Sequence, residues 1–194
     1  MKRNLSIKLQ KLAVISAFAL GSVTTAWAGT VGGTVGPIST LTQTDVSDAT
    51  IVAATGQTDT TIVSGQIDNN NEAGWKLTVA STNTGILMRT SGTGANEDSQ
   101  ILYTDVKFVK TGGTLGTGLI DPDATSKNIV TGAEGGDAPG TTIFNTGSAV
   151  GTPGTATTAT VGYAYALKIG WSADTSLLSG TYADTITLTL ANDV

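Results

Sequence analysis

The sequence predicts an all-β fold: an antiparallel β-sandwich, of jelly-roll or immunoglobulin-like type, with at least seven strands and an extended N-terminal arm. The first observation is composition, because 36 Thr and 25 Gly among 194 residues favour strands and tight turns over helices. The second is periodicity, since several segments alternate apolar with polar or small residues and none of ten or more residues has a convincing helical apolar period. The third is the short spacing of Gly, Pro, Asn and Asp turn clusters.

Residues 1–28 have the pattern of a secretory signal peptide. Four basic residues precede an apolar stretch over 12–23, and Ala26-Trp27-Ala28 forms a small-x-small cleavage site. The apolar stretch is too short to cross a bilayer, which takes roughly 20 residues. We therefore expect a secreted protein, extracellular or on the cell surface as part of a fimbrium, with no membrane span in the mature chain from Gly29.

The mature chain is acidic, with 6 Lys and Arg against 15 Asp and Glu, a net charge of −9 at pH 7. Its cations are scattered singly, so we expect no nucleic-acid partner. The absence of Cys and His excludes disulfides, thiolate or imidazole metal sites and Ser-His or Cys-His nucleophiles. We expect no enzyme, no cofactor and no metal site, with a carboxylate enzyme as the remaining catalytic alternative.

Residues 29–44 form the predicted arm. The near-exact repeat Gly-Thr-Val-Gly occupies 29–32 and 33–36, and ten extended residues reach about 33 Å, the length of a strand across a sandwich. One interpretation is an unstructured terminus. The other is a strand donated to a neighbouring subunit by β-strand addition, with four residues contacting the neighbour. These donor-arm residues are Val31, Gly33, Val35 and Ile38.

Residues 45–194 form the predicted sandwich domain. Its predicted strands are 49–54, 60–67, 74–81, 85–90, 100–110, 161–171 and 181–191. In the last of these, Ile186, Leu188 and Leu190 share one face and a ladder of Thr occupies the other. This strand is the predicted edge strand, whose three apolar residues would contact a neighbouring subunit.

The region 111–160 is predicted to consist of surface loops with short strand pieces at 128–131 and 141–145, or alternatively to form a set of ligand-binding loops. Asp121 and Asp123 would need a common cleft to act as a catalytic pair. The Asp- and Asn-rich segment 68–72 predicts a plain hairpin loop. Calcium is an alternative for such loops, although none has the spaced carboxylate pattern of a calcium loop.

Aromatic residues at strand positions predict a core. Their apolar neighbours alternate with polar or small residues, which favours packing over stacking on sugars, the alternative for an exposed Trp. These residues are Trp75, Tyr103, Phe108, Tyr163, Tyr165, Trp171 and Tyr182.

Two segments resemble known secreted bacterial β-sandwich families. The segment Leu178–Leu190, with its Gly-Thr-Tyr-x-Asp-Thr pattern, is similar to the last strand of the spore coat protein U-like and fimbrial pilin group. Trp75-Lys76-Leu77 is similar to the Trp-x-Leu motif of WxL surface domains, which have a similar closing strand. The resemblance implies a secreted, non-catalytic sandwich of a surface or fibre.

Two functions follow as hypotheses. The first is an extracellular structural subunit of a fimbria-like filament or matrix fibre, a homopolymer that assembles by β-strand donation from the arm. The second is a monomeric cell-surface or envelope binding module, in which the loops over 111–160 contact a surface glycan or peptidoglycan.

Overall fold

A computed structural model of the protein describes residues 35–45, 55–90, 99–132, 138–149, 152–174 and 176–193. Pro37–Val194 forms one compact unit, and Met1–Gly36 is a separate unit of which residues 35 and 36 are described. The predicted signal peptide and the predicted strand at 49–54 therefore lie outside the described residues.

The described residues contain ten strands. They are β1 (Ser39–Asp45), β2 (Gln57–Asn69), β3 (Trp75–Ser81), β4 (Ile86–Arg89), β5 (Gln100–Thr114), β6 (Ser126–Lys127), β7 (Thr141–Asn145), β8 (Thr160–Trp171), β9 (Tyr182–Ala183) and β10 (Ile186–Asn192).

The strands form two antiparallel sheets. The larger sheet has seven strands in the order β1-β2-β8-β5-β4-β9, and β6 pairs with β5 beside this path. The smaller sheet has the order β10-β3-β7. All strand pairs are antiparallel. The prediction of an all-β protein with at least seven antiparallel strands is thus confirmed.

The core lies where the inner faces of the two sheets meet. Phe108 on β5 has its ring centroid 5.2 Å from that of Tyr165 on β8 and 5.4 Å from that of Phe144 on β7. Trp75 on β3 lies 5.7 Å from Tyr163 by the same measure. Because these rings come from both sheets and are fully buried, they join the sheets by packing. The predicted aromatic core is confirmed, with Tyr182 only partly buried against it.

Two of the predicted strands differ from the structure. Residues 128–131 form a turn instead of a strand piece, because Asn128 Oδ1 accepts hydrogen bonds from the backbone of Val130 and Thr131. The single strand predicted over 181–191 is divided into β9 and β10, which pair with different strands. Asp184 lies at this division, where its side chain accepts hydrogen bonds from other elements.

Candidate subunit-contact site

The strand β10 is an edge of the smaller sheet. It pairs with β3 in unbroken register from Ile186 opposite Ser81 to Asn192 opposite Trp75. On its other side, no strand among the described residues pairs with it. An edge strand of this kind presents backbone N–H and C=O groups to which another strand can add.

The two faces of β10 differ as the alternation predicts. Ile186, Leu188 and Leu190 are partly buried and pack against the core, whereas Thr187 and Thr189 are exposed. The corresponding inward residues of the central strand β3, Leu77 and Val79, are fully buried. Apolar side chains at this edge therefore keep part of their surface in contact with solvent, and a further strand could cover it.

The strand β1 is an edge of the larger sheet. It pairs with β2 over its whole length, from Ser39 opposite Asn69 to Asp45 opposite Val63. Leu41 is partly buried against the core, and Thr40 and Thr42 are exposed. This strand occupies 39–45, so most of the second half of the predicted arm is paired within its own chain.

Asn69 connects the two edge strands at one end. Its Nδ2 donates to Asn192 Oδ1 on β10 at 2.9 Å and to Ser39 Oγ on β1 at 3.3 Å. Its Oδ1 accepts a hydrogen bond from the backbone N–H of Asn71 at 2.9 Å. Because Asn69 is almost fully buried, these bonds satisfy polar atoms that would otherwise be costly. The start of β1 and the end of β10 are therefore held together here.

The chain immediately before β1 is attached to the same end. Ile38 N–H donates to Asn70 Oδ1 at 2.7 Å, and Asn70 N–H donates to the Ile38 carbonyl at 3.1 Å. Two predicted donor-arm residues are nevertheless exposed, Val35 by 83% and Ile38 by 48%. The other two, Val31 and Gly33, lie outside the described residues.

Asp184 fixes the start of β10, a role that the sequence analysis missed. Its Oδ2 accepts hydrogen bonds from Ser81 Oγ at 2.6 Å and from the Tyr103 hydroxyl at 3.0 Å. Its Oδ1 accepts from the backbone N–H of Asn83 at 3.0 Å and of Thr185 at 2.8 Å. Burial, together with the charge and hydrogen bond of Asp184, raises the pKa of Tyr103 above its usual range. The available signal was the Asp in the Gly-Thr-Tyr-x-Asp-Thr pattern.

Tyr182 anchors the connection that leads into β9. Its hydroxyl donates to the Leu178 carbonyl at 2.7 Å and is also hydrogen-bonded to Ser99 Oγ. A Tyr that bonds the backbone a few residues upstream is similar to the tyrosine corner of immunoglobulin-like sandwiches. The hydrogen bonds of Tyr182 and Asp184 together fix the position of the segment that precedes β10.

The paired carboxylates Asp121 and Asp123 hold a loop against β5 and β8. Asp121 accepts the Tyr163 hydroxyl and lies 3.2 Å from Lys110 Nζ, and Asp123 Oδ1 accepts the Lys110 backbone N–H at 2.7 Å. Partial burial raises the pKa of Asp121, but the hydrogen bonds from Tyr163, Asp123 and Lys110 outweigh it and leave that pKa below its ordinary value. Burial and Asp121 raise the pKa of Tyr163. Both carboxylates thus serve in loop attachment.

The segment 68–72 forms the predicted turn, but the prediction of a hairpin is wrong. It joins β2 to β3, which lie in different sheets and do not pair with each other, so the chain crosses here from the larger sheet to the smaller one. Asn71 Oδ1 accepts the backbone N–H of Ala73 at 2.8 Å, a side-chain turn of the expected kind. Asp68 Oδ1 accepts the Gly162 N–H at 2.7 Å, and Asp68 Oδ2 accepts from Gln66 Nε2 at 3.0 Å. These hydrogen bonds, first that from Gly162, lower the pKa of Asp68.

Two further properties concern the described part of the chain only. It contains no group of three or more His, Cys, Asp or Glu arranged to hold a metal ion. It also contains no helix with the length and apolar character that crossing a membrane requires.

Comparison with models of known protein families and with curated proteins found no match for this chain.

Proposed function

We propose that this protein is an extracellular structural subunit of a fimbria-like filament or matrix fibre. Residues 29–38 of one copy add a strand to the free edge of β10 in the next copy. The observation that carries the proposal is β10 itself, a seven-residue edge strand whose inward Ile and Leu side chains remain only partly buried. The signal-peptide pattern of residues 1–28 supports export of the subunit.

The dimensions of the two segments agree. At about 3.3 Å per residue, the seven residues of β10 extend for about 23 Å. The ten residues 29–38 reach about 33 Å, which leaves a few residues to connect the two subunits. Pairing along β10 would satisfy its free backbone groups with those of the arm.

The side-chain spacing also agrees. In an extended arm, Val31, Gly33 and Val35 fall on one face because alternate residues of a strand point the same way. Ile186, Leu188 and Leu190 have the same spacing of two on β10. The arm would place its two Val side chains over the partly exposed apolar edge. Ile38 would lie on the opposite face of the arm from Val31 and Val35. Its backbone N–H is bonded to Asn70 of its own domain, so we place the point where the arm leaves that domain at Ile38.

Assembly into a polymer follows from the type of contact. The arm and the β10 edge are different surfaces of the same chain, so each copy offers one donor and one acceptor. A head-to-tail contact of this kind generates an open filament when the rotation between copies does not close a ring. Every added subunit again offers a free β10 edge.

The experiment places Asp at the inward arm positions. We expect the double variant Val31→Asp and Val35→Asp to be secreted as a folded monomer, because charges at these positions would be buried against the apolar edge of β10. Thr34→Asp is the matched control, since it adds a charge to the opposite face of the same arm. Electron microscopy and the mass of the native secreted particle give the result.

The outcomes separate the two functions. Filaments of normal length from the double Asp variant would overturn the proposal. A wild-type protein that is monomeric and binds purified cell wall or a surface glycan would instead favour the binding module. The described aromatic side chains are all buried or partly buried in the core, so they offer such a module no exposed ring for stacking on a sugar.

A further inference from the structure

Asp193, one residue beyond the end of β10, has a carboxylate that no hydrogen bond from the described residues satisfies. The residue is completely buried, and within the part of the chain that the structure describes neither Oδ1 nor Oδ2 has a hydrogen-bond partner. Its backbone N–H donates to the Gly74 carbonyl at 3.1 Å, which continues the β10–β3 pairing and holds the side chain in place. The ion pairs of the described residues join Lys107 to Asp59 and Lys110 to Asp121, and neither involves Asp193.

The carboxylate faces the loop that follows β7. A Cβ atom placed on Gly147 would lie 3.1 Å from Asp193 Oδ2 and 1.8 Å from the carbonyl oxygen of Thr152. These two oxygens are therefore at most about 5 Å apart. Both lie next to the position that a side chain at residue 147 would occupy. Two oxygens at this separation can share a calcium ion, whose ligands lie at about 2.4 Å.

An isolated buried carboxylate is energetically costly. Its charge loses hydration without gaining a partner, so the site requires a cation or another source of compensation. The groups that meet at Gly147 are a carboxylate and a backbone carbonyl, which are the oxygen ligands that hard cations prefer.

We propose that Asp193 and the Thr152 carbonyl form part of a calcium site that joins the end of β10 to Thr152. A single carboxylate places the site in the weak class of extracellular calcium modules, with dissociation constants of about 10⁻⁴–10⁻³ M. Magnesium binds less well, because it requires near-ideal octahedral geometry and gives up its water reluctantly. The site is separate from the arm contact and does not depend on it.

The test uses the full secreted chain with calcium as the probe. Calcium at about ten times its dissociation constant should raise the Tm of the wild type by about 3–6 °C, and magnesium should raise it less. Asp193→Asn should abolish the calcium response. It should also unfold at a higher Tm than the wild type in chelator, because it removes an uncompensated buried charge. Asp174→Asn, at a carboxylate that is hydrogen-bonded to Ser176 and not to Asp193 or Thr152, should keep the full calcium response.

Terbium luminescence excited through Trp provides a readout that does not depend on stability. Trp75 directly follows Gly74, whose carbonyl accepts a hydrogen bond from the Asp193 backbone N–H. Terbium at the site should therefore be sensitised in the wild type and not in Asp193→Asn. The proposal fails if calcium leaves the wild-type Tm unchanged and terbium gives no sensitised emission. It also fails if wild type and Asp193→Asn respond equally to calcium, or if Asp193→Asn is the less stable protein in chelator.

Discussion

Asn69 Nδ2 donates a hydrogen bond to Asn192 Oδ1 at 2.9 Å, although 123 residues separate the two in the chain. This bond connects the larger sheet to the edge strand of the smaller one, at the point where Ser39 begins β1. The two edges that border the candidate contact site are therefore coupled at one end through a single buried side chain. The stability of that end should depend strongly on Asn69.

We expect Asn69→Ala to lower the free energy of unfolding by about 2–3 kcal/mol, because it leaves buried polar groups without partners. Asn192→Ala should cost less, since Asn69 keeps its bonds to Ser39 and Asn71. Urea unfolding of both single variants and the double variant measures the coupling between the two residues. A coupling energy near zero would show that the bond between them contributes nothing.

We expect the protein to lose stability at alkaline pH, because three Tyr side chains are buried. Burial raises the pKa of Tyr165 to about 12, and the pKa values of Tyr103 and Tyr163 also lie above their usual range. Above pH 10 the unfolded chain releases protons that the folded chain retains. The contribution of these groups is therefore complete below about pH 10 and falls as the pH rises, by up to about 1.4 kcal/mol per pH unit for each Tyr.

Comparison of two Phe variants checks this prediction. The Tyr165 hydroxyl is buried and has no hydrogen-bond partner among the described residues. Tyr165→Phe should therefore not destabilise the protein at pH 7 and should reduce the loss of stability between pH 10 and 12. Tyr103→Phe should be destabilised at pH 7, since it loses the bond to Asp184. Denaturant unfolding across this pH range gives the values, and a Tyr165→Phe protein that unfolds as steeply as the wild type would contradict the assignment.

Gly65 on β2 permits the close approach of β1. A Cβ atom at this position would lie 2.2 Å from the Thr42 carbonyl and 2.8 Å from the Tyr165 hydroxyl. We expect Gly65→Ala to cost about 1–3 kcal/mol through overpacking and to displace β1 from β2. Gly112→Ala is the control, because its nearest neighbour would be Ala164 Cβ at 3.8 Å. Hydrogen exchange should show faster exchange in β1 for Gly65→Ala alone, and uniform protection in both variants would refute this explanation.

The class of fold and the inward faces of the strands could be predicted from the amino-acid pattern alone. In β8 and β10, large apolar residues alternate with small or polar ones. The alternation is strong because the side chains on one face of each strand are more deeply buried than those on the other. The turn in the Asn-rich segment at 68–72 could also be predicted, since Asn side chains bond to the backbone two residues on. The hairpin predicted there was wrong, because the two flanking strands join different sheets. The resemblance to fimbrial and WxL surface proteins depends on two short segments and remains a prediction.

Which strands are edges, and which contacts hold them, depends on how the two sheets pack. Ser39–Asp45 has one apolar residue, Leu41, and becomes a strand because β2 offers it backbone partners. The roles of Asn69, Asp184 and Asp193 depend on contacts with residues far away in the chain, which no local spacing reveals. Local periodicity reports the burial of a side chain within its own strand, whereas hydrogen-bond partners and exposed edges are properties of the packed sheets.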